Sequence, residues 1–158
     1  MSTQIRPEEP AIDRNAPVVS ATELEVDAPI GHVWDVLTAI EKWPAWNPDV
    51  KAVSLDGRFA EGSTFQWKAG PGTIRSVIEH VDRPGLVAWS GRTLGIRAVH
   101  VWHLEAQNGK TLVRTEESYD GLVARVLRRS LQKTLDTALT DGTRYLKAEA
   151  ERATPTSS

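Results

Sequence analysis

Cysteine is absent from the 158 residues. Its absence excludes disulfides, thiolate catalysis and cysteine-ligated zinc, and leaves the redox compartment open. No run of about 18 apolar residues occurs, so no segment is expected to span a membrane. The first residues, MSTQIRPEEPAIDRNAP, lack the apolar stretch that a secretory signal needs. The default expectation is cytoplasmic. Neither sign of charge dominates: 19 Lys and Arg stand against 21 Asp and Glu, a formal net charge of −2. No global field then favours nucleic acid or an anionic membrane. P-loop, G-x-G-x-x-G and G-x-S-x-G motifs are missing, and no cofactor is expected.

What is present is tryptophan. Six of the ten aromatic residues are Trp, against two Tyr and two Phe. They are Trp34, Trp43, Trp46, Trp67, Trp89 and Trp102. An indole carries a large apolar face and one N–H, so in a folded chain it fills a core or lines a pocket.

The chain length suits one domain. Residues 1–17 read as a disordered tail, residues 18–152 as the folded domain, and residues 153–158 as a second tail. VVSATELEVDA (18–28) reads as a strand. Val33, Trp34, Leu37 and Ile40 then recur at helical spacing, with Asp27 as the expected N-cap and Pro29 near the first turn. EKWPAWNPDV holds two prolines in five residues and allows only a helical turn and a loop. From Val50 to Tyr119 six β-prone segments follow, punctuated by DGRFAEG, GPG, DRPG, TLG and NG. Leu122 to Arg152 is the longest periodic stretch. Val123, Val126/Leu127, Leu131, Leu135, Ala138, Gly142 and Tyr145/Leu146 form its stripe.

Seven antiparallel strands cannot leave a whole apolar face wet. The last helix alone is long enough to cover one. An α+β fold follows, with a curved sheet wrapped around that helix and two short helices after strand 1.

The order of elements, together with APIGHVWDVLT (28–38), WPAWNPDV (43–50), LVAWSG (86–91), HVWHLE (100–105) and TEESYDG (115–121), resembles the START-like, pollen-allergen-like superfamily, also called SRPBCC. Its polyketide cyclase/dehydrase-like branch is the nearest match. The resemblance spans residues 18–152. It implies a helix-grip fold with an internal cavity and a small hydrophobic ligand. It supplies no catalytic residues, because members include hydrophobic-ligand carriers, cyclases and respiratory-quinone partners.

The Asn108-Gly109 pair allows a register to be counted. A two-residue type I′ turn there makes paired positions sum to 217. Leu104–Val113, Trp102–Thr115, His100–Glu117 and Ala98–Tyr119 then share one face, assigned to the helix side. His103–Arg114 and Val101–Glu116 share the other, where Val99 and Val101 fit poorly. Four-residue loops at RTLG and DRPG extend the count. They pair Trp89 with Ala98, Val87 with His100, Ile78 with Trp89 and His80 with Val87. A β-bulge would flip part of this set.

His100 opposite Glu117 is the sharpest constellation. A carboxylate beside an imidazole is expected to raise the imidazole pKa and fix its tautomer, as in a general base. The alternative is a pair of buried polar groups that satisfy each other. His80 is a candidate proton relay or a rim residue. Trp67, Trp89 and Trp102 form a wall for a flat ligand or a packed core. Ile78, Ala98, Thr115 and Tyr119 join that wall, and Leu127 and Leu131 face it from the helix. Trp43, Trp46 and Asn47 either close one end of the space or latch the short turn to the sheet. Arg125, Arg128, Arg129 and Lys133 make a basic side that is solvated or meets an anionic partner. No metal site is expected. His100 and His103 point to opposite faces, and His32 with Asp35 lacks further ligands.

Three functions remain open. One is a binder of a small hydrophobic or aromatic ligand. The second is a cyclase/dehydrase-type enzyme, a lyase or isomerase, in which His100 and Glu117 move protons. The third is a partner module using the outer sheet face around Val99 and Val101.

Overall fold

A computed structural model of the chain describes residues 10–152. The tail expected at 153–158, and residues 1–9 of the other, lie outside the described residues. The elements are β1 (Val18–Val26), α1 (Ile30–Thr38), a 3-10 turn (Ile40–Lys42), α2 (Trp43–Trp46), β2 (Val50–Leu55), β3 (Thr64–Ala69), β4 (Gly72–Asp82), β5 (Leu86–Thr93), β6 (Ile96–Gln107), β7 (Lys110–Asp120), α3 (Leu122–Val126) and α4 (Arg128–Arg152). All seven strands form one antiparallel sheet in the order β1-β7-β6-β5-β4-β3-β2. It is the α+β helix-grip arrangement expected from the sequence.

Helix α1 starts two residues later than expected. Pro29 is its N-cap residue, in an extended conformation, and no side chain caps it. Asp27 lies too far back to reach the first turn. Its backbone N–H donates instead to Glu151 Oε1 at 2.9 Å. Burial of Val33, Trp34 and Leu37 holds α1 in place of a cap.

The last helix is not continuous. Leu127, at φ −100° and ψ 27°, separates α3 from α4. In α4 the buried stripe is Leu135, Leu139, Thr143, Leu146 and Ala150, at steps of three and four. Ala138 is exposed, contrary to the expected stripe. Thr143 can replace an apolar residue because its hydroxyl donates to the carbonyls of Leu139 at 3.0 Å and Thr140 at 2.9 Å.

Helix α4 packs on β1, the edge strand. Leu135 and Leu139 cover Val18. Side chains of α4 also occupy carbonyls along that edge. Arg128 Nε donates to Pro17 O at 2.8 Å, Gln132 Nε2 to Val19 O at 2.8 Å, and Lys147 Nζ to Glu25 O at 3.0 Å.

Residues 10–17 are not a free tail, which corrects the reading of that segment. They cross the outer face of the sheet as a strap. Ile12 is 5% exposed and packs with Leu86, Ala88 and Val101, with Val19 and Val99 beside them. Asp13 N–H donates to Ser118 Oγ at 3.2 Å, and Arg14 reaches both carboxylate oxygens of Glu116 at 3.1 and 3.3 Å. Burying one isoleucine is worth about 1.5–3 kcal/mol. It also explains why valines occur on a face otherwise polar.

Candidate functional site

The site is built on the β6–β7 hairpin. Asn108 (φ 52°) and Gly109 (φ 81°) both lie in the left-handed region, as a type I′ turn requires. The observed pairs include Leu104↔Val113, Trp102↔Thr115, His100↔Glu117 and Ala98↔Tyr119, as counted from the sequence. Val113 and Thr115 are fully buried on the helix side, whereas Arg114 is exposed on the other.

Beyond this hairpin the register differs. The β5–β6 turn has two residues, Leu94 (φ 47°) and Gly95 (φ 76°), rather than four. Trp89 therefore pairs with His100 and Val87 with Trp102, a shift of two from the expected pairs. A shift of two leaves every side chain on its expected face. The β4–β5 ladder keeps Ile78↔Trp89 but is interrupted between Ile78 and His80. The extra residue there turns His80 to the outer face, opposite Ala88, and puts Val81 opposite Val87. His80 is thus not part of the site. Its Nδ1 lies 3.7 Å from Glu61 Oε1.

An aromatic cluster fills one half of the concave side. Trp43 enters from α2, and its ring centroid lies 5.6 Å from Trp67, 5.5 Å from Trp89 and 6.1 Å from Phe65. Its Nε1–H donates to Leu37 O at 2.9 Å, which fixes the ring in that position. Trp43 is therefore a plug over β3 and β5, and Trp67 and Trp89 are partly core. Trp67 Nε1–H donates to Ser76 Oγ at 3.1 Å. Concave residues that stay partly exposed include Trp67, Ile74, Ala98, Glu117 and Tyr119.

His100 sits between Trp89 and Trp102, each ring centroid 5.1 Å away. Its Nε2 is 2.7 Å from Thr115 Oγ1. The Thr115 hydroxyl donates to Val101 O at 3.1 Å, so its oxygen must accept from His100. The neutral imidazole therefore carries its proton on Nε2, and Nδ1 presents a bare lone pair. Nδ1 lies 3.5 Å from Glu117 Oε1, beyond a good hydrogen bond. His100 Nδ1 and Trp102 Nε1 are the buried side-chain atoms without a partner among the described residues.

Burial reverses the expected electrostatics. The two side chains are only 10% and 13% exposed. Desolvation holds the imidazole down to about 3 and pushes the Glu117 carboxyl up to about 8. At neutral pH the pair is a carboxylic acid facing an uncharged imidazole. Burial, and then the neighbouring Glu117, also raise the Tyr119 phenol. Ser20, opposite Glu117 on β1, donates to Asp136 Oδ1 of α4 at 2.6 Å.

The helix residues divide. Leu131 is half-buried beside Val18, Leu135, Leu139 and Tyr119. Leu127 is 49% exposed at the break between α3 and α4, and the structure does not bring it to the site. Trp43 takes a place that the sequence reading offered it, beside the sheet at one end of the concave side. Ile12 as a cover was missed, and an isolated isoleucine in a polar, proline-rich segment was its only trace. Among the described residues no group of three or more His, Asp or Glu is placed to hold a metal ion. Nor is any helix long and apolar enough to cross a membrane.

Over residues 17–151 the sequence matches the family described as polyketide cyclase / dehydrase and lipid transport. The chain belongs to this family. No protein of curated function matches the sequence. Among solved structures, a hypothetical protein of Helicobacter pylori superposes with a TM-score of 0.80 at 16% identity, covering 95% of this chain and 99% of that one. A START superfamily protein of Mycobacterium smegmatis gives 0.75 at 14% identity, covering 86% and 99%. The ZhuI aromatase/cyclase of Streptomyces sp. R1128 gives 0.74 at 15% identity, covering 85% and 93%. These likenesses show that the chain shares the fold of those proteins. The outer-face partner patch expected around Val99 and Val101 is not open, because Ile12 covers it.

Proposed function

We propose that this family member binds a small, largely apolar organic molecule that carries a hydroxyl or carbonyl group. The ligand lies on the concave side between α4 and the β6–β7 hairpin, over Ala98, Glu117 and Tyr119. The observation that carries this reading is the pair of unpartnered buried atoms. His100 Nδ1 is an acceptor and Trp102 Nε1 a donor, both on the concave face beside a protonated Glu117. A buried polar atom without a partner costs about 1–3 kcal/mol. A ligand hydroxyl satisfying one of them recovers that cost.

The test is native mass spectrometry of the purified protein, followed by tryptophan fluorescence with hydroxylated aromatics. A bound mass, or saturable quenching lost in Trp102→Phe, is the expected result. A protein free of ligand whose fluorescence no neutral hydroxylated aromatic changes would overturn the reading.

A catalytic reading has one observation in its favour. Two adjacent titratable groups have pKa values pushed apart, an acid that holds its proton and a base that lacks one. In a cyclisation or dehydration, Glu117 would donate a proton to a departing or carbonyl oxygen, while His100 Nδ1, too weak a base to take a proton from carbon, would accept a hydrogen bond from a substrate hydroxyl. Glu117→Gln keeps the shape but not the acid. Loss of turnover with binding retained supports catalysis; equal binding and no turnover in either protein supports a carrier.

A further inference from the structure

A second surface lies at the end of the molecule formed by the β5–β6 turn and α3. Arg75, Arg92 and Arg97 stand directly opposite one another on β4, β5 and β6. Like charges in adjacent cross-strand positions repel. Among the described residues none of the three forms an ion pair, although Asp120 follows next in the row. Together they line a shallow hollow of about 570 Å³ with Leu94, Ile96 and Gly121. Arg125, Arg128 and Arg129 extend the positive charge onto α3 and the start of α4, all exposed. The net charge of −2 conceals this segregation.

The same end exposes four large apolar side chains. Leu94 is 62% exposed, Leu122 75%, Val126 74% and Leu127 49%. Leu122 and Val126 are four apart on α3 and share a face. The turn and α3 are in contact. A Cβ built on Gly95 would lie 2.8 Å from Val123 Cγ2, and one on Gly121 would lie 2.5 Å from Gly95 O. Leu94 also holds a left-handed backbone, φ 47°, a position that asparagine or glycine adopts more readily. An exposed leucine in that conformation serves neither the turn nor the core.

We infer that this end docks on the surface of an anionic lipid bilayer. The arginines would meet lipid phosphates, and Leu94, Leu122, Val126 and Leu127 would enter the acyl boundary. Charge complementarity selects this occupant. The arginines flank exposed apolar side chains, whereas a soluble phosphate would use the arginines alone. The inference concerns a surface separate from the ligand site and does not depend on the reading of that site.

The test is co-sedimentation of the full chain with vesicles of phosphatidylcholine, alone or mixed with phosphatidylglycerol, at low and high salt. Binding to the mixed vesicles only, weakened by salt, is expected. Arg92→Gln with Arg97→Gln should lower partitioning by about thirtyfold, about one kcal/mol for each charge removed. Leu122→Ser with Val126→Ser should lower it as well, and neither pair touches a buried residue. Leu94→Asn suits the turn, so it should fold at least as well as the parent yet bind less. Equal binding to both vesicle types, no binding to either, or binding unchanged in the arginine variant would each overturn the inference. So would competition by soluble glycerol phosphate combined with no effect of Leu122→Ser and Val126→Ser.

Discussion

The Thr115 hydroxyl accepts from His100 Nε2 at 2.7 Å while donating to the carbonyl of Val101. One threonine thereby sets which imidazole nitrogen is free. The free nitrogen, Nδ1, faces Glu117. Thr115→Val keeps the volume and removes both bonds. It leaves a buried N–H and a buried carbonyl short of a partner, and should cost about 1–3 kcal/mol in urea denaturation. It should also let the tautomer change, visible in the ¹⁵N shifts of the imidazole.

The pH dependence of stability should show a plateau. His100 has a folded pKa lowered to about 3 from 6.5, so the unfolded chain binds more protons between those values and stability rises with pH there. Glu117 has a folded pKa raised to about 8 from 4.5, so the folded chain binds more protons and stability falls with pH from 4.5 to 8. The two oppose each other between 4.5 and 6.5. From these two groups, stability should climb below 4.5, level off, then fall from 6.5 to 8. Thermal melts across this range check it. In Glu117→Gln the fall above 6.5 should disappear; its persistence would assign that limb to another group.

Trp102→Phe removes an N–H that has no partner and retains a ring beside His100. Stability should change by no more than about 1 kcal/mol, since the relieved polar cost offsets the lost area. Ligand affinity should fall by about tenfold, the worth of one hydrogen bond of about 1.4 kcal/mol. A large loss of stability with affinity unchanged would make Trp102 a packing residue only.

Ile12→Ala should destabilise by about 2 kcal/mol, near the low end for such truncations because a strap can settle into the space. Ile12→Asp should release the strap and uncover Leu86, Ala88 and Val101. Increased binding of an apolar dye, with near-ultraviolet dichroism preserved, is the expected signature.

The hairpin was legible because Asn108-Gly109 dictates its own geometry, and the face of His100 and Glu117 followed from counting. Leu94-Gly95 hid the next turn, since leucine gives no signal for a left-handed position. The error did no harm to the faces because it was even. At Glu79 the irregularity was odd, and His80 changed sides. Nothing in TIRSVIEHV marks a bulge, which arises from how β4 curves against β5. The pKa reversal was illegible for another reason. Adjacency can be read from a register, but the water excluded by Trp43, Trp89 and Trp102 belongs to the whole packed core. Ile12 went unread because a single apolar residue has no periodicity.

The hydrogen bonds from Arg128, Gln132 and Lys147 to the β1 carbonyls do more than fasten a helix. Unguarded edge strands recruit other strands. Here the guard is also the lid of the concave side. Any outward movement of α4 that widens the site for a larger guest would uncover the β1 edge in the same motion. If the proposed ligand site is used, one helix sets both its capacity and the chain's resistance to self-association. Variants selected for bulkier guests should be those that aggregate first.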